Sequence, residues 1–225
     1  MKLKYLALLL LSSGVLFAAN DAVRRLHDAA EIVTEVMGAS DKAIPQDLFD
    51  KAECVVVVPG VKKAAFIVGG KFGRGFISCR HHDEGGWSAP AAVKVEGGSF
   101  GFQIGASETD VIMAVMNRRG AEKLMQSKFT LGADASIAAG PVGRTAAAGT
   151  DAYMNAEILS WSRAKGLFAG IALTGATLRP DMDDNRELYG QRMTTKEVMA
   201  ASVATPEASR QLIHELDRYS MRKEG

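Results

Sequence analysis

The sequence lacks an excess of either charge. It has 225 residues, with 27 lysines and arginines against 26 aspartates and glutamates, and its formal net charge at pH 7 is +1. A protein that binds nucleic acid through its overall charge needs a basic surplus that neutralises phosphates, so this class of partner is excluded. Hydrophobic residues make up 47% of the chain, which excludes disorder as a description of the whole.

Cysteine and histidine are scarce, with two and four residues respectively. Cys54 and Cys79 are too far apart in sequence to form a C-x-x-C pair, so the sequence offers no recognisable structural zinc site. In an oxidising compartment the two cysteines could form a disulfide, and otherwise they would be two small buried thiols. Both residues lie in strand-like segments, and both alternatives stay open at the level of sequence.

Long apolar runs are absent beyond the N-terminus. Residues 1–4 (MKLK) are basic, residues 5–11 are almost all apolar, and small residues precede Asn20. This is the order of regions in a secretory signal peptide, and the run is too short for a permanent membrane helix. We therefore expect residues 1–19 to be cleaved and residues 20–225 to form one soluble, exported domain. The short basic region is typical of bacterial export to the periplasm, although another secretory route would use a similar signal.

Strand-like segments occupy the middle of the chain, and helical patterns flank them. Most of the 23 glycines lie between Gly60 and Gly175, where they interrupt short β-branched and aromatic runs. Segregated strands and helices predict an α+β fold rather than alternating βαβ units, and glycines within strands mark bends. We expect a curled, mainly antiparallel sheet or barrel-like core of about eight strands, bracketed by N- and C-terminal helices. Strands are predicted at residues 54–59, 64–68, 72–80, 87–95, 99–104, 110–116, 129–139, 157–163 and 167–178, and helices at residues 21–37, 45–49, 117–125, 184–189, 194–199 and 205–219.

Two basic turns are candidate anion sites. Residues 70–75 (GKFGRG) place Lys71 and Arg74 on a predicted turn, and Lys62 and Lys63 lie just upstream. The segment lacks the layout of a phosphate-binding P-loop, but basic groups beside exposed backbone N–H groups can hold a phosphate or lipid headgroup. A solvated hairpin is the alternative interpretation. A second small basic site is predicted at the turn that contains Arg163 and Lys165, with the same alternative.

Three other motifs resemble functional sites without matching them. Residues 97–101 fit the G-x-S-x-G pattern of hydrolases, which makes Ser99 a candidate nucleophile, but a strand-like segment follows where that motif needs a helix. Residues 81–84 (HHDE) favour a solvated turn, because adjacent residues of a strand point to opposite faces. Residues 181–185 (DMDDN) fail the spacing of a calcium loop and favour an acidic surface turn that caps a helix. We therefore predict no metal, no cofactor and no enzymatic activity.

Several segments together resemble a known family. They are residues 87–90 (WSAP), 101–105 (GFQIG), 130–144 (TLGADASIAAGPVGR), 160–170 (SWSRAKGLFAG) and 184–190 (DNRELYG). In this order they are similar to the SYLF domain, over about residues 22–190, with residues 191–225 as a C-terminal helical extension.

The resemblance implies a lipid-binding domain without catalysis. Eukaryotic SYLF proteins bind phosphoinositides and in some cases actin, whereas bacterial members are exported, stand-alone lipid-binding proteins. Phosphoinositides and actin are therefore partners by family analogy only, since an exported bacterial protein would not meet them. The basic amphipathic helix associated with lipid binding in eukaryotic members is not matched here, because residues 21–37 carry two arginines but four acidic residues.

The sequence as a whole predicts a non-enzymatic lipid-binding protein of the bacterial envelope that recognises anionic phospholipid headgroups. The proposed headgroup contacts are Lys62, Lys63, Lys71 and Arg74, with Arg163 and Lys165 as a second site. One alternative is a structural or protein-interaction module of the envelope. The other is a hydrolase that uses Ser99.

Overall fold

A computed structural model of the chain describes residues 13–39, 44–65, 68–81, 85–100, 105–143, 155–200 and 203–220. The elements in chain order are α1 (Ser13–Gly38), α2 (Gln46–Lys51), β1 (Cys54–Ala65), β2 (Val68–Cys79), β3 (Ala91–Phe100), β4 (Gly105–Val115), α3 (Arg118–Leu124), β5 (Phe129–Thr130), β6 (Ile137–Ala139), β7 (Ile158–Ala164), β8 (Leu167–Gly170), β9 (Thr177–Pro180), α4 (Met182–Tyr189), α5 (Thr195–Ala200), a 3-10 helix (Glu207–Ser209) and α6 (Arg210–Tyr219).

The strands form one mixed sheet. Eight of them follow the order β5-β9-β3-β2-β1-β4-β7-β6, and β8 pairs with β7 outside that path. Every pairing is antiparallel except that of β6 with β7. The α+β class, the curled and mainly antiparallel sheet, and the bracketing helices are therefore confirmed.

The two faces of the sheet bury different side chains because successive residues of a strand point to opposite sides. On one face Val56 and Val58 of β1 belong to a core that α3 and α5 cover. On the other face Val55 and Val57 pack with Phe76, Trp161 and the apolar side of α1, together with α6. The described residues of α1 bury Leu26, Ala29, Ala30, Val33 and Val36, which recur at helical spacing. This packing lays α1 across one face of the sheet.

The helix α1 begins at Ser13, eight residues before the predicted start, and so crosses the predicted cleavage point at residue 19. Residues 1–12 lie outside the described part of the chain, and cleavage of the signal peptide stays a prediction. Within the described residues, no helix combines the length and apolar character needed to cross a membrane.

The predicted break at Gly69 and Gly70 is wrong, because β1 and β2 are long strands of 12 residues each. The irregularity lies instead in the middle of β1, where the register with β2 and β4 shifts around Pro59 and Gly60. Gly60 has a φ of +54°, a backbone conformation that favours glycine. Lys71 and Arg74 are therefore strand residues and do not lie on a flexible turn.

The bulge in β1 brings its backbone close to β2. A Cβ at Gly75 would lie 2.1 Å from the carbonyl oxygen of Val57, so only glycine fits there. The predicted break at Gly97 and Gly98 is also wrong, since β3 continues through both residues. None of these glycines ends its strand, and Gly73 and Gly75 permit the close approach of β1.

Two predicted strands are shorter than the sequence indicates. Residues 129–139 form β5 and β6 with a turn between them, and residues 167–178 contain β8 and the start of β9. Trp87 makes only an isolated bridge with Arg80, so β3 begins later than predicted, at Ala91.

Local sequence signals at helix ends and at one hairpin are confirmed. The Asn117 side chain accepts a hydrogen bond from the Gly120 N–H at 2.8 Å and caps α3. Thr194 and Glu197 form a capping box, a pattern of Thr followed three residues later by Glu, at the start of α5. The β7–β8 hairpin turns at Lys165 and Gly166, both with positive φ.

Cys54 and Cys79 face each other in the register of β1 and β2 and form a disulfide. The bond lies on the face opposite α1 and closes a loop with a sequence separation of 25 residues.

Candidate functional site

A cleft of about 680 Å³ opens between α1 and the sheet. Its walls are one side of α1, the bulge of β1, the first half of β2, the start of β4, and the β7–β8 turn. This volume lies in the range of about 300–1,000 Å³ that is common for small-ligand sites. The cleft is therefore large enough for a phospholipid headgroup.

The cleft brings together four residues from the two predicted basic sites. Lys62, Arg74, Arg163 and Lys165 all line it. They converge because β4 lies between β1 and β7, so the two sites are one strand apart in the sheet. Two regions separated by about 90 residues of sequence thus form a single site.

Lys63 and Lys71 do not line the cleft. They are direct neighbours across β1 and β2, and strand alternation places them on the face opposite α1. The six residues predicted as headgroup contacts are therefore divided between the two faces of the sheet.

The charges of the cleft are mixed. Arg24 and Arg25 of α1 join the four predicted residues and give six cationic side chains along the lining. Four acidic residues line it as well, namely Asp28, Glu31, Glu108 and Asp110. Sequence reasoning assigned no site role to these six additional residues, because their placement depends on how α1 lies across the sheet.

Four of the cationic residues are engaged by carboxylates, and the first of these is Arg24, which pairs with Asp21 at 2.7 Å on the exposed side of α1. Arg74 lies 3.2 Å from Asp184, and Arg25 also pairs with Asp184. Arg163 pairs with Asp110 at 2.7 Å and also with Glu35. These pairs hold the guanidinium groups in place along the walls of the cleft.

Lys62 and Lys165 are exposed and form no ion pair within the part of the chain that the structure describes. Lys62 lies on β1 just after the bulge at Gly60, and Lys165 lies on the β7–β8 turn. An anion that entered the cleft would reach these two ammonium groups without displacing a protein carboxylate.

Two buried carboxylates support the floor of the cleft. Asp181 is fully buried and pairs with Arg74 at 3.4 Å and Lys94 at 3.2 Å, and Asp184 is almost as deeply buried. Asp181 also accepts a hydrogen bond from the Asp184 N–H and caps α4. The prediction that residues 181–185 cap a helix is confirmed, but their prediction as a surface turn is wrong. Burial of these carboxylates requires cationic partners, which come from distant segments.

Two carboxylates of β4 lie close to Gly60, the residue at the bulge of β1. The Gly60 N–H donates to Asp110 Oδ1 at 2.9 Å, and the Glu108 carboxylate occupies the space where a Cβ of residue 60 would lie. Burial raises the pKa of Asp110, the hydrogen bond from Gly60 opposes this, and the charges of Glu108 and Asp28 raise it further. Glu108 and Asp110 therefore lie together at the β4 wall of the cleft, and Asp28 of α1 is close enough for its charge to act on Asp110.

One exposed apolar side chain, Phe72, lines the cleft, and another, Leu167, follows the turn that lines it. Phe72 of β2 is directly opposite Lys62 in the register with β1, and 46% of its surface is exposed. Leu167, two residues after Lys165, is 67% exposed. Exposed large apolar residues beside lysines are typical of surfaces that meet a lipid interface.

The other candidate motifs have different outcomes. Ser99 lies within β3, which continues to Phe100, while residues 101–104 and residues 82–84 lie outside the described part of the chain. Residues 182–189 form a helix in place of a calcium loop. Among the described residues, His27, Asp28 and Glu31 on α1 have ligand atoms within 4.8 Å of one another, so they are the group that could hold a metal ion.

Comparison with known proteins identifies related sequences from yeasts and mammals. An SH3 domain-containing protein of Schizosaccharomyces pombe is 38% identical over 178 residues, which are 78% of this chain and 41% of that protein. LAS seventeen-binding protein 3 of Saccharomyces cerevisiae is 34% identical over 77% of this chain and 38% of its own length. The human SH3 domain-containing YSC84-like protein 1 is 29% identical over 92% of this chain and 60% of its own length.

The chain thus spans less than two thirds of the length of each of these relatives. The name of one of them describes a binding protein, and none of the three names describes an enzyme. Comparison with solved structures finds no match.

A family profile matches more than half of the chain. The match covers residues 96–219, which include most of the segment interpreted above as a C-terminal extension. The family is described as "Ysc84: Las17-binding protein actin regulator". With this match and these relatives, the chain belongs to the Ysc84 family, whose domain is also called SYLF.

Proposed function

We propose that this protein is a non-enzymatic lipid-binding SYLF domain of the bacterial envelope, and that it contacts anionic phospholipid headgroups at the cleft between α1 and the sheet. The observation that carries the proposal is the position of Lys62 and Lys165. Both are exposed cleft residues without ion-pair partners within the described chain, and each lies next to an exposed apolar side chain.

Electrostatic attraction supports weak, salt-sensitive attachment. A lysine near an anionic membrane surface contributes about 1 kcal/mol, so the two lysines together contribute about 2 kcal/mol, or roughly 30-fold in affinity at low salt. Phe72 and Leu167 add apolar contact beside the charges. Arg74 and Arg163 are already neutralised by carboxylates, so they contribute less than the sequence predicts.

Export to an oxidising compartment is part of the proposal. The N-terminal pattern of residues 1–19 supports it, and so does the disulfide between Cys54 and Cys79, since such bonds persist in oxidising compartments. In this setting anionic phospholipid is a partner within reach of the protein.

Co-sedimentation with vesicles tests this function. The protein is purified as the cell produces it, and mass spectrometry of its N-terminus establishes whether residues 1–19 are removed. We expect binding to vesicles that contain phosphatidylglycerol, no binding to pure phosphatidylcholine, and loss of binding at 1 M salt, where the Debye length is about 3 Å. Equal binding to both vesicles would contradict the proposal.

Variants locate the site. The double variant Lys62→Gln/Lys165→Gln should lose roughly 30-fold in affinity, whereas Lys196→Gln, an exposed lysine of α5, should bind normally. If Lys71→Gln weakens binding and the double variant does not, the site is the opposite face of the sheet.

A protein-interaction module of the envelope is the second candidate function. The family description, Las17-binding protein actin regulator, and the name of the Saccharomyces cerevisiae relative favour it. Such a protein would associate with a protein partner in a salt-insensitive way and would not co-sediment with any vesicle.

A further inference from the structure

The cleft presents charges of both signs to a ligand. Lys62 and Glu108 are cross-strand neighbours of β1 and β4, and both line the cleft. Their charged ends do not form an ion pair with each other or with another residue of the described chain. The cleft therefore offers an ammonium group and a carboxylate side by side, and each is free to contact a ligand.

The carboxylates of the cleft differ in how they are engaged. Asp110 is occupied by the Gly60 N–H and by Arg163. The Glu108 carboxylate lies over Gly60. Asp28 lies across the cleft on α1, where it makes no ion pair among the described residues. A purely anionic headgroup would contact the lysines but would leave these two carboxylates without a partner.

We infer that the cleft accepts the headgroup of an aminophospholipid, with the phosphate against Lys62 and Lys165 and the primary ammonium against Glu108 and Asp28. This inference rests on the cleft proposed above as the lipid site and names the chemistry that the site selects. A primary ammonium carries three N–H donors that carboxylate oxygens accept. The quaternary ammonium of choline has the same charge and no donor, so it is the matched comparison.

Two vesicle compositions isolate the ammonium group. Both contain the same fraction of phosphatidylglycerol, and the remainder is phosphatidylethanolamine in one and phosphatidylcholine in the other. The surface charge density is the same in both vesicles, so any difference in binding comes from the ammonium group. We expect about fivefold tighter binding to the phosphatidylethanolamine vesicles, which is the upper end of the effect of one exposed ion pair. Soluble glycerophosphoethanolamine should compete for the protein, and glycerophosphocholine should not, which separates headgroup recognition from differences in bilayer packing.

Carboxylate variants test the assignment of residues. Glu108→Gln and Asp28→Asn should each reduce the difference between the two vesicles, and the double variant should remove it. Glu207→Gln neutralises an exposed carboxylate on the 3-10 helix that does not line the cleft, and should keep the full difference. Glu108 is exposed, so its replacement leaves the core intact, and Asp28→Asn provides an independent variant.

The outcomes separate the two proposals. Equal binding to both vesicles, with dependence on phosphatidylglycerol retained, would overturn the aminophospholipid inference and leave the proposed function in place. A preference that persists in the Glu108→Gln/Asp28→Asn variant would also overturn it. Loss of all dependence on phosphatidylglycerol would overturn the proposed function itself.

Discussion

The replacement Asp184→Asn removes the shared partner of two arginines at the floor of the cleft. Asp184 is 5% exposed at its side chain, Arg25 is 15% exposed and Arg74 is 36% exposed. Removal of one partner from a buried ion pair costs about 3–5 kcal/mol because the other charge stays buried without compensation. Since Arg74 reaches solvent and keeps Asp181 as a partner, we expect the lower limit, a loss of about 3 kcal/mol in the free energy of unfolding.

Urea unfolding measures this loss. For slopes of about 1–3 kcal/mol per molar urea, the midpoint should fall by at least about 1 M. The matched control is Asp183→Asn, one residue away on α4, where the aspartate and its partner Arg192 are both about half exposed. Such a surface pair contributes about 0–1 kcal/mol. Equal midpoints for the Asp184→Asn and Asp183→Asn variants would refute the claim that a buried ionic cluster holds α1 and β2 together.

Two further predictions concern stability elsewhere in the fold. Replacement of Cys54 and Cys79 by alanine opens a loop with a sequence separation of 25 residues, and the chain-entropy relation gives a loss of about 3.5 kcal/mol, measurable by urea unfolding; an unchanged midpoint would contradict it. Burial raises the pKa of Glu157, but hydrogen bonds from the Ser136 N–H and Lys123 outweigh this and hold the pKa below its ordinary value of 4.5. The stabilisation is therefore present above pH 4.5 and is lost as pH falls through the lowered pKa, so Glu157→Gln should destabilise the protein at pH 7 and much less at pH 3. A destabilisation that is the same at both pH values would contradict this assignment.

Local patterns in the sequence were sufficient to predict the fold class and the buried first strand of the sheet. The β-branched run of residues 54–58 predicts a strand buried on both faces, and β1 has this property because both cores of the protein contain its valines. The asparagine cap at Asn117 and the capping box at Thr194 need only three or four neighbouring residues, so sequence alone locates them.

The role of the glycines of β2 could not be predicted from local sequence patterns, because it depends on contacts with β1. Gly73 and Gly75 lack side chains because the bulge of β1 approaches them, and that bulge is visible in sequence only as the Pro59-Gly60 dipeptide. Because glycine is a turn signal in sequence, Lys71 and Arg74 are predicted on a turn, whereas both lie in β2. The alternation of a continuous strand would have placed these two residues on opposite faces.

The composition of the cleft depends on contacts between distant segments. Asp184 meets Arg25 and Arg74 across 159 and 110 residues of sequence, and neither separation has a local signature. Residues 181–185 look like a solvated acidic turn for this reason. The union of the two predicted basic sites likewise follows from strand order, which the sequence does not specify.

The central claim is that the cleft face of the protein meets the lipid surface. Phe72→Trp places a fluorescent probe at the mouth of the cleft, while the native Trp87 and Trp161 are buried and provide a constant background. With phosphatidylglycerol vesicles that carry brominated acyl chains, we expect quenching of the introduced tryptophan, and no added quenching for a tryptophan introduced at the exposed Lys196 of α5. Binding without quenching at residue 72, or with stronger quenching at residue 196, would contradict the account.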